Sequence, residues 1–129
     1  MDRISTAWAI RRFIDPAATF EFVDRNRDVR GMEAIPFDIR GAELGHHAGR
    51  CTFETLIARY ELSEPGLARM ASIIRGADLP YEDEAPAESA GIGAIFDGLR
   101  DSKISDDERL VRGFAVCDAL FTYCKTGAG

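Results

Sequence analysis

Five stretches of this chain repeat apolar residues at spacings of three and four, and that period restricts what the chain can fold into more than any motif does. The first runs from Arg3 to Ile14, with Ile4, Ala7, Trp8, Ile10, Phe13 and Ile14 on its stripe, Asp2 as its expected N-cap and Asp15-Pro16 closing it. The second carries Phe53, Leu56, Ile57 and Tyr60, and the third Leu67, Met70, Ala71, Ile73 and Ile74 after the start signal "SEPG", with Gly76 as its expected stop. The fourth carries Ile92, Ile95, Phe96 and Leu99, and the fifth follows the capping box Ser105 to Glu108 with Leu110, Phe114, Cys117, Phe121 and Cys124. Two short segments read as strands, "TFEFVD" from Thr19 to Asp24 and "IPFDI" from Ile35 to Ile39. The expectation is a mostly α fold of the α+β class: about five helices with a small two-stranded β element, in a single domain over residues 1–129. An acidic loop is expected at about 79–88.

A chain of 129 residues with 46% hydrophobic and 29% charged residues buries a core without staples. No apolar run is long enough to span a bilayer, and the first residues place charges where a secretion signal needs an apolar core, so a cytoplasmic address and no membrane partner are expected. Of the three cysteines, Cys117 and Cys124 stand seven apart on one helix, roughly 10 Å along its axis and too far for a disulfide. They read as reduced and as core.

The net charge of −6 is unevenly spread: residues 1–75 carry 11 basic and 11 acidic side chains, residues 76–129 carry 5 and 11. Without a basic face, direct nucleic-acid binding is not expected. Glycine-loop nucleotide motifs, nucleophile elbows and calcium-loop ligand order are absent from the sequence. Any arginines that hold an anion therefore do so locally.

Chemistry concentrates in two places. Arg3 falls in the first turn of a helix whose end is already electropositive, which asks for a negative group nearby. At 100° per residue, Arg3 and Arg11 lie about 80° apart around the axis and about 12 Å apart along it, whereas Arg12 points roughly 180° from Arg3. Arg3 and Arg11 can converge on one oxyanion, for which the guanidinium fork is suited, or all of these arginines can pair with Asp2, Asp15 or Glu43. The second place is "ELGHHAGRCTFETLIARY", residues 43 to 60. Cys51 and Thr52 stand at a helix start that lowers a thiol pKa, and His46 lies five residues earlier. That allows a thiol nucleophile with its base, a metal site from His46, His47, Cys51 and Glu43 or Glu54, a polar ligand pocket, or a structural loop. The catalytic candidates are Cys51 and His46, and the weak metal candidates His46, Glu43 and Glu54. No cofactor is strongly indicated. Asp78, following the expected helix stop, can fold back toward the arginines.

"DRISTAWAIRRFIDP", "PFDIRGAELGHHAGRCTFETLIARY" and "EPGLARMASIIRGADL" resemble, in order and spacing, the C-terminal domain of the chromate resistance family with its ChrB-type chromate-responsive regulators. The likeness runs over nearly the whole chain. It implies a stand-alone domain that binds or senses a small oxyanion, chromate and possibly sulfate, with Arg3, Arg11, Arg12 and His46 perceiving it. On that reading Thr52 or main-chain N–H groups at the second helix start add neutral donors, and Asp2, Trp8, Glu43, Glu54 and Asp78 support the site. Thr6 stands where some relatives carry a cysteine, and the chain lacks the N-terminal segment of the long regulators, so promoter binding is not expected. Arginines alone barely separate chromate from sulfate; a nearby Cys51 would, because chromate oxidises thiols. The alternatives are a metal- or thiol-dependent enzyme built on His46 and Cys51, and an interaction module that docks a protein partner or another copy through its acidic C-terminal part.

Overall fold

The computed structural model describes residues 1–20, 51–79 and 85–126. These form five α-helices: α1 (Asp2–Ala9), α2 (Thr52–Arg59), α3 (Leu67–Asp78), α4 (Glu88–Asp101) and α5 (Asp106–Thr126). α1 continues directly into a π-turn, Ile10–Ile14, closed by the Asp15 N–H donating to the Ile10 carbonyl at 2.8 Å. The chain thus stays helical as far as the apolar stripe of the first segment suggests, but its last turn is wider than an α-turn.

The α+β expectation is corrected to all-α, since no strand occurs among the described residues. Thr19 and Phe20, which open the first expected strand, are not in one; the Phe20 ring instead covers Phe114 at 6.1 Å between centroids. Two phenylalanines two apart imitate strand alternation when one of them is a lid for a helix. Glu21 to Asp24 and the second expected strand lie outside the described residues.

The apolar stripes face one shared core, except that Ile14, Tyr60 and Ile95, expected on them, are exposed at the edges of their helices. α3 supplies Leu67, Met70, Ala71, Ile73 and Ile74, and packs on the four other helices. α1 lies against α2, α3 and α5. Its Trp8, 2% exposed, stacks on Phe53 at 6.5 Å and meets Phe13 and Phe121 edge-on at 5.6 and 5.5 Å. Such ring pairs add about 0.5–1.5 kcal/mol each beyond the area they bury. Cys117 and Cys124 lie in this core, as their stripe implies. No helix among the described residues is long and apolar enough to cross a membrane.

The helix ends refine the expected signals. Ser105 Oγ accepts the Glu108 N–H at 3.1 Å and so caps α5. Gly66, with φ +91°, precedes α3 in a left-handed conformation that glycine adopts without cost. Gly76 does not stop α3, which runs to Asp78; a Cβ there would collide with the Ser89 side chain and stand 2.9 Å from Ala85 Cβ, so this glycine lets α4 approach. Ser89 Oγ then donates to the Ile73 carbonyl at 2.8 Å. Between α3, α4 and α5, Tyr123 donates to Glu88 at 2.7 Å while Arg69 donates to both, at 3.0 Å to Tyr123 and 3.2 Å to Glu88. Glu88, expected in the acidic loop, therefore belongs to α4; residues 80–84 of that loop lie outside the described residues.

Gly113 marks the closest approach of α1 and α5: a Cβ there would lie 2.5 Å from Ile4 Cγ2, whereas one on Gly91 meets nothing within 4 Å. Gly113→Val is expected to destabilise the fold by about 1–3 kcal/mol through overpacking. Gly91→Ala is expected to stabilise it by about 0.5–1 kcal/mol through helix propensity. Urea denaturation of the two variants checks both signs.

Candidate functional site

Of the sequence-predicted residues that are described, Asp2, Arg3, Cys51, Thr52 and Glu54 belong to the start of the first helix and the α2 start beside it, and Arg11 and Arg12 to its other end. At its start, Asp2 is 2% exposed and does not cap its own helix. Its Oδ2 accepts the Thr52 N–H at 2.7 Å and its Oδ1 the Phe53 N–H at 2.8 Å. A helix start leaves its first N–H groups without intrahelical partners, and a carboxylate is the strongest acceptor for them. Asp2 thus caps α2 from fifty residues away. Cys51 is the local N-cap of α2 and forms a capping box with Glu54, whose Oε1 accepts the Cys51 N–H at 3.2 Å. The main-chain donors proposed above for an oxyanion are therefore held by the chain's own carboxylates, and Thr52 is fully buried.

This setting determines the chemistry of Cys51. The thiol is 0% exposed, and burial pushes its pKa far above the ordinary thiol range. The Asp2 charge pushes it further, with smaller pushes from Glu54 and Asp78 against a hydrogen bond from the Glu54 N–H. The helix N-terminus expected to lower this pKa is already neutralised by Asp2. Cys51 remains a thiol at neutral pH and behaves as a small core residue. Thr6, one turn along from Asp2, is equally buried, and its hydroxyl has no hydrogen-bond partner among the described residues. A cysteine in its place would leave a weaker donor without a partner there. Arg3 is half-buried in the first turn of α1, and Glu54 stands 3.8 Å from Arg75 of α3. No group of three or more His, Cys, Asp and Glu side chains arranged to hold a metal occurs among the described residues; His46, His47 and Glu43 lie outside them.

At the other end, the π-turn directs Arg11 and Arg12 onto α5. Arg11 donates through Nε and Nη2 to the Ala18 carbonyl, at 3.3 and 2.9 Å. Its guanidinium carbon sits 5.1 Å from the Phe20 ring centroid and 5.0 Å from that of Phe114. No carboxylate pairs with Arg11 among the described residues, so its charge meets one carbonyl and two ring faces. Arg12 reaches Asp118 at 3.0 Å and lies 5.0 Å from the Phe121 centroid. The same Asp118 oxygen accepts the Trp8 indole N–H at 2.8 Å, which makes Trp8 a buried anchor that positions α5 beside the arginines. The 100° rule for Arg3 and Arg11 assumed α geometry throughout, and the wider turn from Ile10 changes the direction of both Arg11 and Arg12. Phe20, Phe114 and Asp118 were not among the sequence candidates. Asp118, a carboxylate between Cys117 and Phe121 of the α5 stripe, was the one available signal.

Asp2→Asn is expected to destabilise the fold by about 1.5–3 kcal/mol, because one of two charge-assisted acceptors becomes an amide donor facing N–H groups; denaturation midpoints measure this. In the native protein Cys51 is expected to resist iodoacetamide as fully as Cys117, whose pKa burial pushes up to about 12, and mass spectrometry after timed alkylation reads both. Rapid selective labelling of Cys51 would contradict the buried thiol.

The chain matches the family described as "ChrB, C-terminal domain" over residues 1–124. It is 39% identical over 126 residues to Protein ChrB of Cupriavidus metallidurans, an alignment that covers 95% of this chain and 37% of that relative. The chain thus spans little more than a third of that relative's length. No solved structure matches it. The extent of the family match, together with an identity well above 30% along nearly the whole chain, means that this protein belongs to the ChrB C-terminal domain family.

Proposed function

We propose that this chromate-resistance-related domain binds a small tetrahedral oxyanion, with chromate as the favoured ligand, and that Arg11 is the central cation of the site. The observation that carries this reading is the charge of Arg11. A half-buried guanidinium normally sits beside a carboxylate, because desolvating a cation is costly. Arg11 has a neutral carbonyl on its Nε and Nη2 edge and phenylalanine rings against it, and Nη1 has no acceptor among the described residues. A bound oxyanion would supply both the missing charge and the missing acceptor.

Arg12 is the second cation of the site, held in place by Asp118 and the Phe121 ring. Only one of its five donors is used by Asp118, which leaves the outer edge of its guanidinium available. Arg3 and His46 remain candidates by family resemblance. The thiol-enzyme alternative loses its nucleophile, since Cys51 is buried and fully protonated at neutral pH. Binding or sensing, rather than turnover, is the reading that these features support.

Calorimetric titration with chromate tests it. Wild type is expected to bind, Arg11→Gln to lose about ten- to a hundredfold in affinity as one or two charge-assisted bonds vanish, and Arg11→Lys to lose less. Thermal melts of each variant separate lost binding from lost folding. Wild-type protein that takes up neither chromate nor sulfate would overturn the proposal.

A further inference from the structure

We infer that the Phe20 and Phe114 rings around Arg11 make the site select weakly hydrated tetrahedral dianions, chromate and molybdate, over sulfate. This rests on the proposed oxyanion site and adds what sets its selectivity. The two rings meet at 82° with centroids 6.1 Å apart, forming an edge-to-face corner, and the Arg11 guanidinium carbon lies about equally close to each, at 5.1 and 5.0 Å. Ala18 occupies the Nε and Nη2 edge, so an anion approaches from the Nη1 side, beside the rings.

An oxyanion that docks there exchanges water for two different surfaces. The guanidinium repays hydration with charge-assisted hydrogen bonds. The rings repay nothing: they accept no strong hydrogen bond and their faces are electrically negative. The anion must therefore give up part of its hydration shell uncompensated, and that cost rises with charge density. Chromium–oxygen and molybdenum–oxygen bonds are longer than sulfur–oxygen bonds, so chromate and molybdate spread the same two charges over a larger sphere and lose less. Guanidinium is itself weakly hydrated, which favours a partner of similar hydration over a tightly hydrated one. Thiol oxidation offers no competing source of discrimination at this place, because Cys51 is fully buried at the opposite end of α1.

The test is a titration of the full chain with sodium chromate, molybdate and sulfate, at a pH where all three are dianions, on wild type, Phe20→Gln and Phe20→Leu. Wild type is expected to hold chromate and molybdate with similar affinity and sulfate at least about tenfold more weakly. Phe20→Leu, which keeps an apolar cover, is expected to preserve that gap, and Phe20→Gln, which admits water and a hydrogen-bonding group, to narrow it to about threefold or less. A gap unchanged in Phe20→Gln, or wild type that binds sulfate as tightly as chromate, overturns the inference and leaves the oxyanion site standing. Chromate bound without molybdate also overturns it, since size and hydration would not then be what is read. No binding of any of the three anions to wild type removes the site and the inference together.

Discussion

The Asp2 carboxylate holds together one end of this protein. α2 has only eight residues, too few to persist as an isolated helix in water. Its first N–H groups are satisfied by a carboxylate from the start of the chain, and its Phe53 and Leu56 are buried in the common core. The dependence is mutual. A carboxylate 2% exposed is tolerable only because strong donors surround it, and the α2 start is tolerable in the interior only because Asp2 fills it. Through this tie Phe53 comes to lie on Trp8, and Trp8 in turn reaches Asp118 of α5. The hydrogen bonds of two buried side chains thus connect the first helix to the second and the last.

What the sequence disclosed follows from this hierarchy. The stripe of α3 predicted its buried face in full and that of α5 in its second half, at Cys117, Phe121 and Cys124, because hydrophobic periodicity is a local property that a packed core simply uses. Ser105 was legible for the same reason: an N-cap needs only its next three residues. The partner of Asp2 was not legible, since nothing within a turn of Asp2 indicates that its acceptors serve a helix fifty residues on. Gly76 misled in the same way. A glycine near the end of an apolar stripe reads as a stop, and only the presence of Ser89 across the interface makes it a contact point. The resemblance to the family pointed to Arg11 and Arg12, while their surroundings, Phe20, Phe114 and Asp118, belong to tertiary structure that spacing does not encode.

The first helix also separates charges along its length. Its first turn carries Asp2 beside Arg3, while Arg11 and Arg12 fall in the closing π-turn, where two cations complement the negative end of the helix macrodipole. Carboxylates surround Cys51 at the first end, whereas Arg11 at the other has no carboxylate partner among the described residues. Burial and charge together therefore divide one short helix into a buried, carboxylate-tied end and an end that carries two cations. The thiol chemistry that the sequence suggested is suppressed first by burial and then by the same carboxylates that cap α2.

The π-turn has a consequence for how such a site is altered by change in the gene. A π-turn is an α-helix carrying one surplus residue, so excising Ile10 lets the helix close in ordinary α register. Arg11 and Arg12 then stand in a tighter turn, and their directions relative to Trp8 change with it. Arg12 would be redirected relative to Phe121 and Asp118 although every arginine, phenylalanine and aspartate around it is kept. The position of the cationic pair is thus written in the count of residues as much as in their identities.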